Sequence, residues 1–495
     1  MESAEMPRSY PTRGKELIFA ACILCSCLLL CNFIIYGGLN LGFAIAAILT
    51  IACSVTYLLL NRCRLTVYSS ALLVLSLVIA AGFARSDDGF VKFVLASFLL
   101  VSVNLALCLL ARQNRRDPGT AGSLLDAGFT LFHLGFGELP QSYHGLVNAM
   151  RFSGPLGQKA GAIALGAGIS LPILVILIPL LMRSDAAFEG LIDLLPDFSA
   201  SEFFCTVFFG FLLSCILYTR STALKHYQPT ADFQPSAKKG LSPLTVNTVL
   251  GVICLVYCAY LFSQLAYFVG GLSGFLPEEY TLAQYARRGF FEMACLCAIN
   301  LGLIALSIGL CGKAAAPKSS RFLCLFLGVV TEFLVVSASA KMFLYIGSYG
   351  LTRLRVLTQV VMLFLALTTA LVCIRLFVPK LPYMKTVILS GLILGALVLW
   401  LDVDTLVARY NVDAYLSGRT ETIDMAHMGS LGNGAVPHIA RLAEEAPDAP
   451  ILWRAQDMLK HRADASEEDF RSWNYAGHLA AKFLPAPEVS GDTAP

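Results

Sequence analysis

Residues 321–346 read RFLCLFLGVVTEFLVVSASAKMFLYI. A helix needs about 20 predominantly apolar residues to cross a bilayer. This run exceeds that length, and beyond Arg321 its only charged side chains are Glu332 and Lys341. It therefore predicts a membrane-spanning helix.

Ten further runs have the same character: Leu17–Tyr36, Leu39–Leu60, Leu65–Phe83, Phe90–Ala111, Ala160–Met182, Glu202–Thr219, Val246–Val269, Gly289–Cys311, Leu354–Val378 and Thr386–Leu401. The first has too long an apolar core for a signal peptide and no small-residue cleavage site before the second run, so it reads as a retained helix. Composition agrees. The 495 residues are 57% hydrophobic and only 14% charged, with a mean hydropathy of +0.70. These values exclude soluble, disordered, collagen-like and coiled-coil classes. The predicted fold class is all-α, a polytopic helical transmembrane bundle with about 11 spans over residues 17–401. A cytoplasmic N-terminus (1–16) precedes it. A small α-helical extracytoplasmic tail (402–484) and a disordered end (485–495) follow.

Charge sets the expected orientation. With the N-terminus inside, the inner segments carry 20 Lys and Arg and the outer loops carry 6, and basic residues favour the cytoplasmic side. Residues 402–495 hold 15 acids and 8 bases, while the rest of the chain has a net charge of +10. The bases are dispersed over loops, which suits anionic membrane lipids and excludes a nucleic-acid footprint. The 16 cysteines sit in apolar runs or at their ends, where thiols pack as small hydrophobes. No metal site or cofactor is expected from them.

Two segments between the runs and several in the tail are amphipathic. Asp185, Glu189, Asp193 and Asp197 repeat every four residues, predicting a surface helix. Gly128–Met150 carries Phe129, Phe132, Phe136 and Leu139 at helical spacing and reads as an interfacial helix broken at Pro140. In the tail, Val403–Leu416 and Ala435–Ala446 are amphipathic. Ser466 with Asp469 predicts a capped helix whose apolar stripe is Phe470, Trp473, Gly477, Ala480 and Leu484.

Charges inside a span cost roughly 2.5–3.5 kcal/mol at the bilayer centre. Glu332 lies eleven residues into its run. Lys341 is nine residues further, about 180° round the helix, so the two cannot pair. Lys341, Tyr345 and Tyr349 share one face at the end of that helix, and Arg353 and Arg355 follow. The preceding span begins with Arg287, Arg288 and Glu292, the last two spaced for a salt bridge. Tyr257, Tyr260, Gln264 and Tyr267 line another helix, and Gln359 enters from the same side. These groups define an outer pocket for an anionic or lipid-linked ligand. The bland alternatives are an interfacial tyrosine belt, a pinned helix end and a snorkelling lysine. They weigh more for each residue except the deep Glu332.

Other motifs are weak. Three Gly-xxx-Gly spacings are common in glycine-rich chains. No phosphate loop, dinucleotide fingerprint, zinc-protease motif or nucleophile elbow occurs, and the seven histidines show no ligand spacing.

The strings Tyr285–Glu292, Lys341–Ile346 and Tyr349-Gly350-Leu351-Thr352 with Arg355 resemble a family of bacterial multi-spanning membrane proteins. It is the domain of unknown function 4173, with a near relative numbered 4153. Ala186-Ala187-Phe188 and Ala408-Arg409-Tyr410-Asn411-Val412 are similar as well, so the resemblance runs from about Ala160 to the middle of the tail. It implies a bacterial plasma membrane and points to the same outer cluster, but implies no reaction. Three functions remain open: transport or handling of a small or lipid-linked anionic solute, an envelope enzyme acting on lipid-linked substrates, and a sensor or scaffold whose tail binds an unidentified partner.

Overall fold

The computed structural model describes residues 14–152, 200–226, 242–272, 290–310, 318–464 and 470–485, with isolated positions between 159 and 184. Among the described residues every regular element is helical. The helices are α1 (Gly14–Asn32), α2 (Leu41–Leu60), α3 (Val67–Gly82), α4 (Gly89–Leu110), α5 (Gly122–Phe132), α6 (Leu139–Phe152), α7 (Ala200–His226), α8 (Pro243–Leu272), α9 (Phe290–Leu310), α10 (Lys318–Tyr349), α11 (Arg353–Phe377) and α12 (Tyr383–Leu401). The tail adds α13 (Val403–Leu416), α14 (Met425–Ser430), α15 (Val436–Glu445), α16 (Ala449–Asp464) and α17 (Tyr475–Ala480).

Eight of the described helices are long and apolar enough to cross a membrane. The chain is thus a membrane-embedded helical protein. Helix α3, at 16 residues, and the apolar stretch Met293–Ser307 of α9 are shorter than that limit. The expected span Ala160–Met182 and the surface helix at 185–197 lie largely outside the described residues, so the full expected set of spans is not reached among them.

Helix α10 shows why these segments prefer lipid. Phe322, Val329, Val336 and Phe343 recur every seven residues and are all exposed. Cys324, Leu327, Leu334, Ala338 and Met342 fill the buried face. A helix apolar on both faces is stable only where the solvent is also apolar.

The helices pack in two groups. Helices α1–α4, α7 and α12 share one core, in which Ile23, Leu58, Leu72, Ile79 and Leu224 are almost fully enclosed. Helices α8–α11 build two smaller cores around Ile304 with Leu327 and around Cys297 with Leu334. Helix α11 packs on α12 and joins the groups. Polar ends are capped locally. Thr66 and Ser69 form a capping box at α3, and the Asp88 carboxylate accepts from the amides of Phe90 and Val91 at 3.0 and 3.1 Å to start α4.

The segment expected to be interfacial divides into α5, a wide turn over His133–Gly137, and α6. The break therefore falls at the glycines before Pro140, which sits in the first turn of α6, where its missing N–H costs nothing. Phe132 and Phe136 are exposed, as an interfacial stripe requires.

The tail packs against the bundle. Val407, Val412, Ile439 and Leu442 belong to the same core as α1–α4. Expected helices Val403–Leu416 and Ala435–Ala446 are present as α13 and α15. Helix α16 was not anticipated. The last helix starts later than Ser466 would suggest: Asn474 caps it by accepting from the Gly477 amide at 2.8 Å. Of its predicted stripe, Ala480 is buried, but Phe470 is exposed. Its entry is dictated by the bundle: the amides of Tyr475 and Ala476 donate to the carbonyls of Ala84 and Arg85, and the Leu41 amide donates to Trp473.

The turns α1–α2, α3–α4 and α10–α11 all meet the tail. So does the start of α7, through Arg471 and Glu202 at 2.9 Å. Charge counting assigns these segments to a single side of the membrane. Gly37 permits the closest approach, because a Cβ there would strike the Arg471 backbone. Gly37→Ala is expected to lift the 470–472 turn off the bundle. Limited trypsin digestion should then cut at Arg471 faster than in the parent protein, and the melting temperature should fall.

Candidate functional site

The residues singled out by sequence separate into three fates. Arg287 and Arg288, and the side chains of Glu292 and Gln264, lie outside the described residues. Lys341, Tyr260, Tyr345, Tyr349, Arg353 and Arg355 are placed. Glu332 stands apart in the middle of α10.

Arg353 and Arg355 are both committed to structure. Arg353 grips Asp404 with two hydrogen bonds, its Nε donating to Oδ1 and its Nη2 donating to Oδ2 at 2.5 Å. Its Nε is also 3.7 Å from Asp88. Arg355 lies over the Tyr345 ring at 4.1 Å, and the Tyr345 and Tyr349 rings meet at a tilt of 51° with their centroids 4.9 Å apart. Its Nη1 donates to the carbonyls of Tyr349 and Gly350, closing the end of α10. Lys341 is half-buried and engaged. Tyr260 packs on the core around Cys297.

Two strings that carried the family resemblance touch each other. The Asn411 side chain accepts from the Leu351 amide and donates to the Leu351 carbonyl, both at 2.8 Å. Gly350 makes this clamp feasible. Its φ is +76°, and a Cβ would sit 2.7 Å from Asn411 Oδ1.

Around Arg353 lies a polar layer that sequence reasoning missed. Asp88, Lys92, Asp402 and Asp404 are each at most 5% exposed. Asp404 Oδ2 also accepts from the Gly432 amide at 2.7 Å. Asp402 accepts from Ser86 at 3.1 Å and Thr405 at 2.6 Å. Asp87 accepts from the Asn433 amide and from Asn474. Lys92 Nζ donates to Asn40 at 2.6 Å. Asp87-Asp88 and Asp402-x-Asp404 end apolar runs, and that was the available signal. Burial pushes the Asp402 carboxyl above the usual carboxylate range, with Asp404 and Asp87 adding to it while Thr405 and Ser86 oppose.

Glu332 occupies different surroundings. It shares an apolar recess between α10 and α11 with Leu325, Val329, Ala366, Leu367, Ala370 and Cys373. Its Oε1 is buried and has no hydrogen-bond partner among the described residues. One residue away begins a polar relay across three helices. Tyr257 donates to Asn300 at 2.8 Å, Asn300 donates to Thr331 at 3.0 Å, and Thr331 donates to the Leu327 carbonyl. Asn300 and Thr331 are fully buried. Asn300 was legible only as a lone amide within an apolar run.

Two outcomes test the polar layer. Arg353→Ala strands the buried Asp404 carboxylate, and breaking such a pair costs about 3–5 kcal/mol. Denaturation should show this loss, with less for Arg353→Lys. For Asp402, a raised folded pKa means the folded state holds its proton more tightly than the unfolded chain. Asp402 therefore removes stability as pH rises from its ordinary value of 3.8 through the raised folded value. Asp402→Asn should flatten that part of the stability–pH curve, and an unchanged slope would contradict it.

A family model described as a domain of unknown function, DUF4153, matches residues 10–442. The match reaches from α1 through α15 and is wider than the loop strings alone suggested. It is to the family numbered 4153, the near relative of the one those strings resembled. No curated protein matches the chain, and no solved structure does. With most of its length covered by that family model, the chain belongs to the DUF4153 family of unknown function.

Proposed function

We propose that the protein handles or transports a small or lipid-linked anionic solute, with Glu332 as its protonatable group. The observation that carries this reading is the unpartnered, buried Oε1 of Glu332 in an otherwise apolar recess. An ionisable group at this depth is expensive and marks a pathway or proton relay by default. A carboxylate repels an anion, whereas the neutral acid can donate a hydrogen bond to it. Solute entry and proton uptake are thereby coupled at one atom. The relay from Tyr257 to Thr331 adds a polar chain beside it, in which Asn300 and Thr331 are fully buried and Tyr257 is half-buried.

The committed state of Arg353 and Arg355 narrows the outer pocket of the sequence reading. Of its bases, Arg287 and Arg288 lie outside the described residues. The bacterial plasma membrane, with the tail outside, is the setting this reading assumes.

The test uses the full chain in liposomes loaded with a pH-sensitive dye. Inward gradients of phosphorylated and carboxylated solutes should acidify the lumen in the parent protein, since each solute enters with a proton. Glu332→Gln should abolish that signal without lowering the melting temperature, since it removes a buried charge. Flux that survives Glu332→Gln sinks the proton-coupled reading.

A further inference from the structure

At the end of the bundle remote from the tail, two recesses meet at Arg112. One is lined by Arg62, Arg64 and Lys225 beside Arg112, and has a volume of about 320 Å³. The other is mainly apolar, with Val67, Ala71, Leu109 and Leu389 beside Tyr68 and Lys385. Among the described residues no carboxylate lines either recess.

The backbone at Arg62 and Arg112 is unusual. Helices α2 and α4 end in the same six-to-one and five-to-two hydrogen-bond pattern. The Cys63 amide donates to Leu58 and the Arg62 amide to Leu59. In α4 the Gln113 amide donates to Cys108 and the Arg112 amide to Leu109. The residue that turns left-handed in this motif is ordinarily glycine. The end of α13 follows that rule, with Gly418 at φ +71°. Arg62 and Arg112 take the position instead, at φ +65° and +56°. Only one other described non-glycine residue, Asp402, has a positive φ. A strained backbone is therefore accepted twice, each time to place an arginine at the same recess.

These arginines are not spent elsewhere. Among the described residues, the guanidinium groups of Arg62, Arg64 and Arg112 make no ion pair or hydrogen bond. Lys225 is held differently, donating to the Asn61 carbonyl at 2.8 Å. Lys385 lies 5.3 Å from the Tyr68 ring centroid, between the polar and apolar parts. A cationic head directly above an apolar trough matches an amphiphile with a negative head group.

We propose that the two recesses form one binding site for an anionic phospholipid, with its phosphate among Arg62, Arg64 and Arg112 and an acyl chain in the apolar trough. The recognised chemistry is a phosphate group. The attached chain selects the lipid over free phosphate. This site is independent of Glu332 and of the solute reading.

The experiment measures melting of the full chain in a neutral detergent. Added phosphatidylglycerol should raise the melting temperature by about 5 °C, phosphatidylcholine should not, and high salt should reduce the shift. Inorganic phosphate should leave it unchanged; a shift equal to that of the lipid would overturn the lipid assignment in favour of a free anion. The deciding variant is Arg62→Gly with Arg112→Gly. Glycine relieves both backbones, so the variant should melt no lower than the parent without lipid, yet lose the phosphatidylglycerol shift. Arg64→Gln, in an exposed loop, gives the same reading through an independent fold-neutral change: a reduced shift supports the site. A full shift retained in the double glycine variant, or an equal shift with phosphatidylcholine, overturns the proposal.

Discussion

The bidentate contact between Arg353 and Asp404 holds the two halves of this molecule in register. Arg353 begins α11, and Asp404 lies in the first turn of α13. Asp88, which caps α4, sits on the same guanidinium. One cation thus ties a span from each helical group to the tail. Asp404 is only 1% exposed, and a carboxylate so enclosed persists only when paired and fully hydrogen-bonded. The neighbouring Gly432 amide completes that requirement. The tail is consequently a continuation of the bundle core, and its position follows from where Arg353 stands.

That constraint changes how the charged residues divide. At the tail end, Arg353, Arg355 and Lys92 are consumed by internal partners and cannot also hold a ligand at full strength. In the middle of the membrane, Glu332 keeps one buried oxygen unpaired. At the far end, Arg62, Arg64 and Arg112 are free. Paired charges occur at that end too, where Arg116 binds Asp126 at 3.1 Å and Lys225 donates to the Asn61 carbonyl, so pairing depends on each residue's own neighbours and not on its depth.

Much of the architecture was legible. Described helices occupy ten of the eleven apolar runs, because a 20-residue apolar stretch has few alternatives to a helix in lipid. The turns α1–α2, α3–α4 and α10–α11, which alternating spans bring to one end, are the ones the tail meets. Glu332 stood out because charge inside an apolar run is rare. The polar layer was less visible. Asp87, Asp88, Asp402 and Asp404 sit at run ends, where acids usually face water, and nothing local says that they converge. Helix α16 was missed because its apolar positions are few. The start of α17 was misplaced because its preceding backbone is held by Ala84 and Arg85, which lie hundreds of residues away in the chain.

By itself, the sequence determined the class of solvent, the helical repeat, the positions of the spans and the scarcity of charge. These properties follow from local apolar length and from the cost of burying ions. Tertiary structure decided which charges are spent. Arg353 and Arg112 are both basic residues at the end of a span, and no local pattern separates a paired arginine from a free one. The partner of Arg353 lies 51 residues away. Likewise, only the folded backbone shows Arg62 and Arg112 in the left-handed conformation, since φ is set by how each helix terminates.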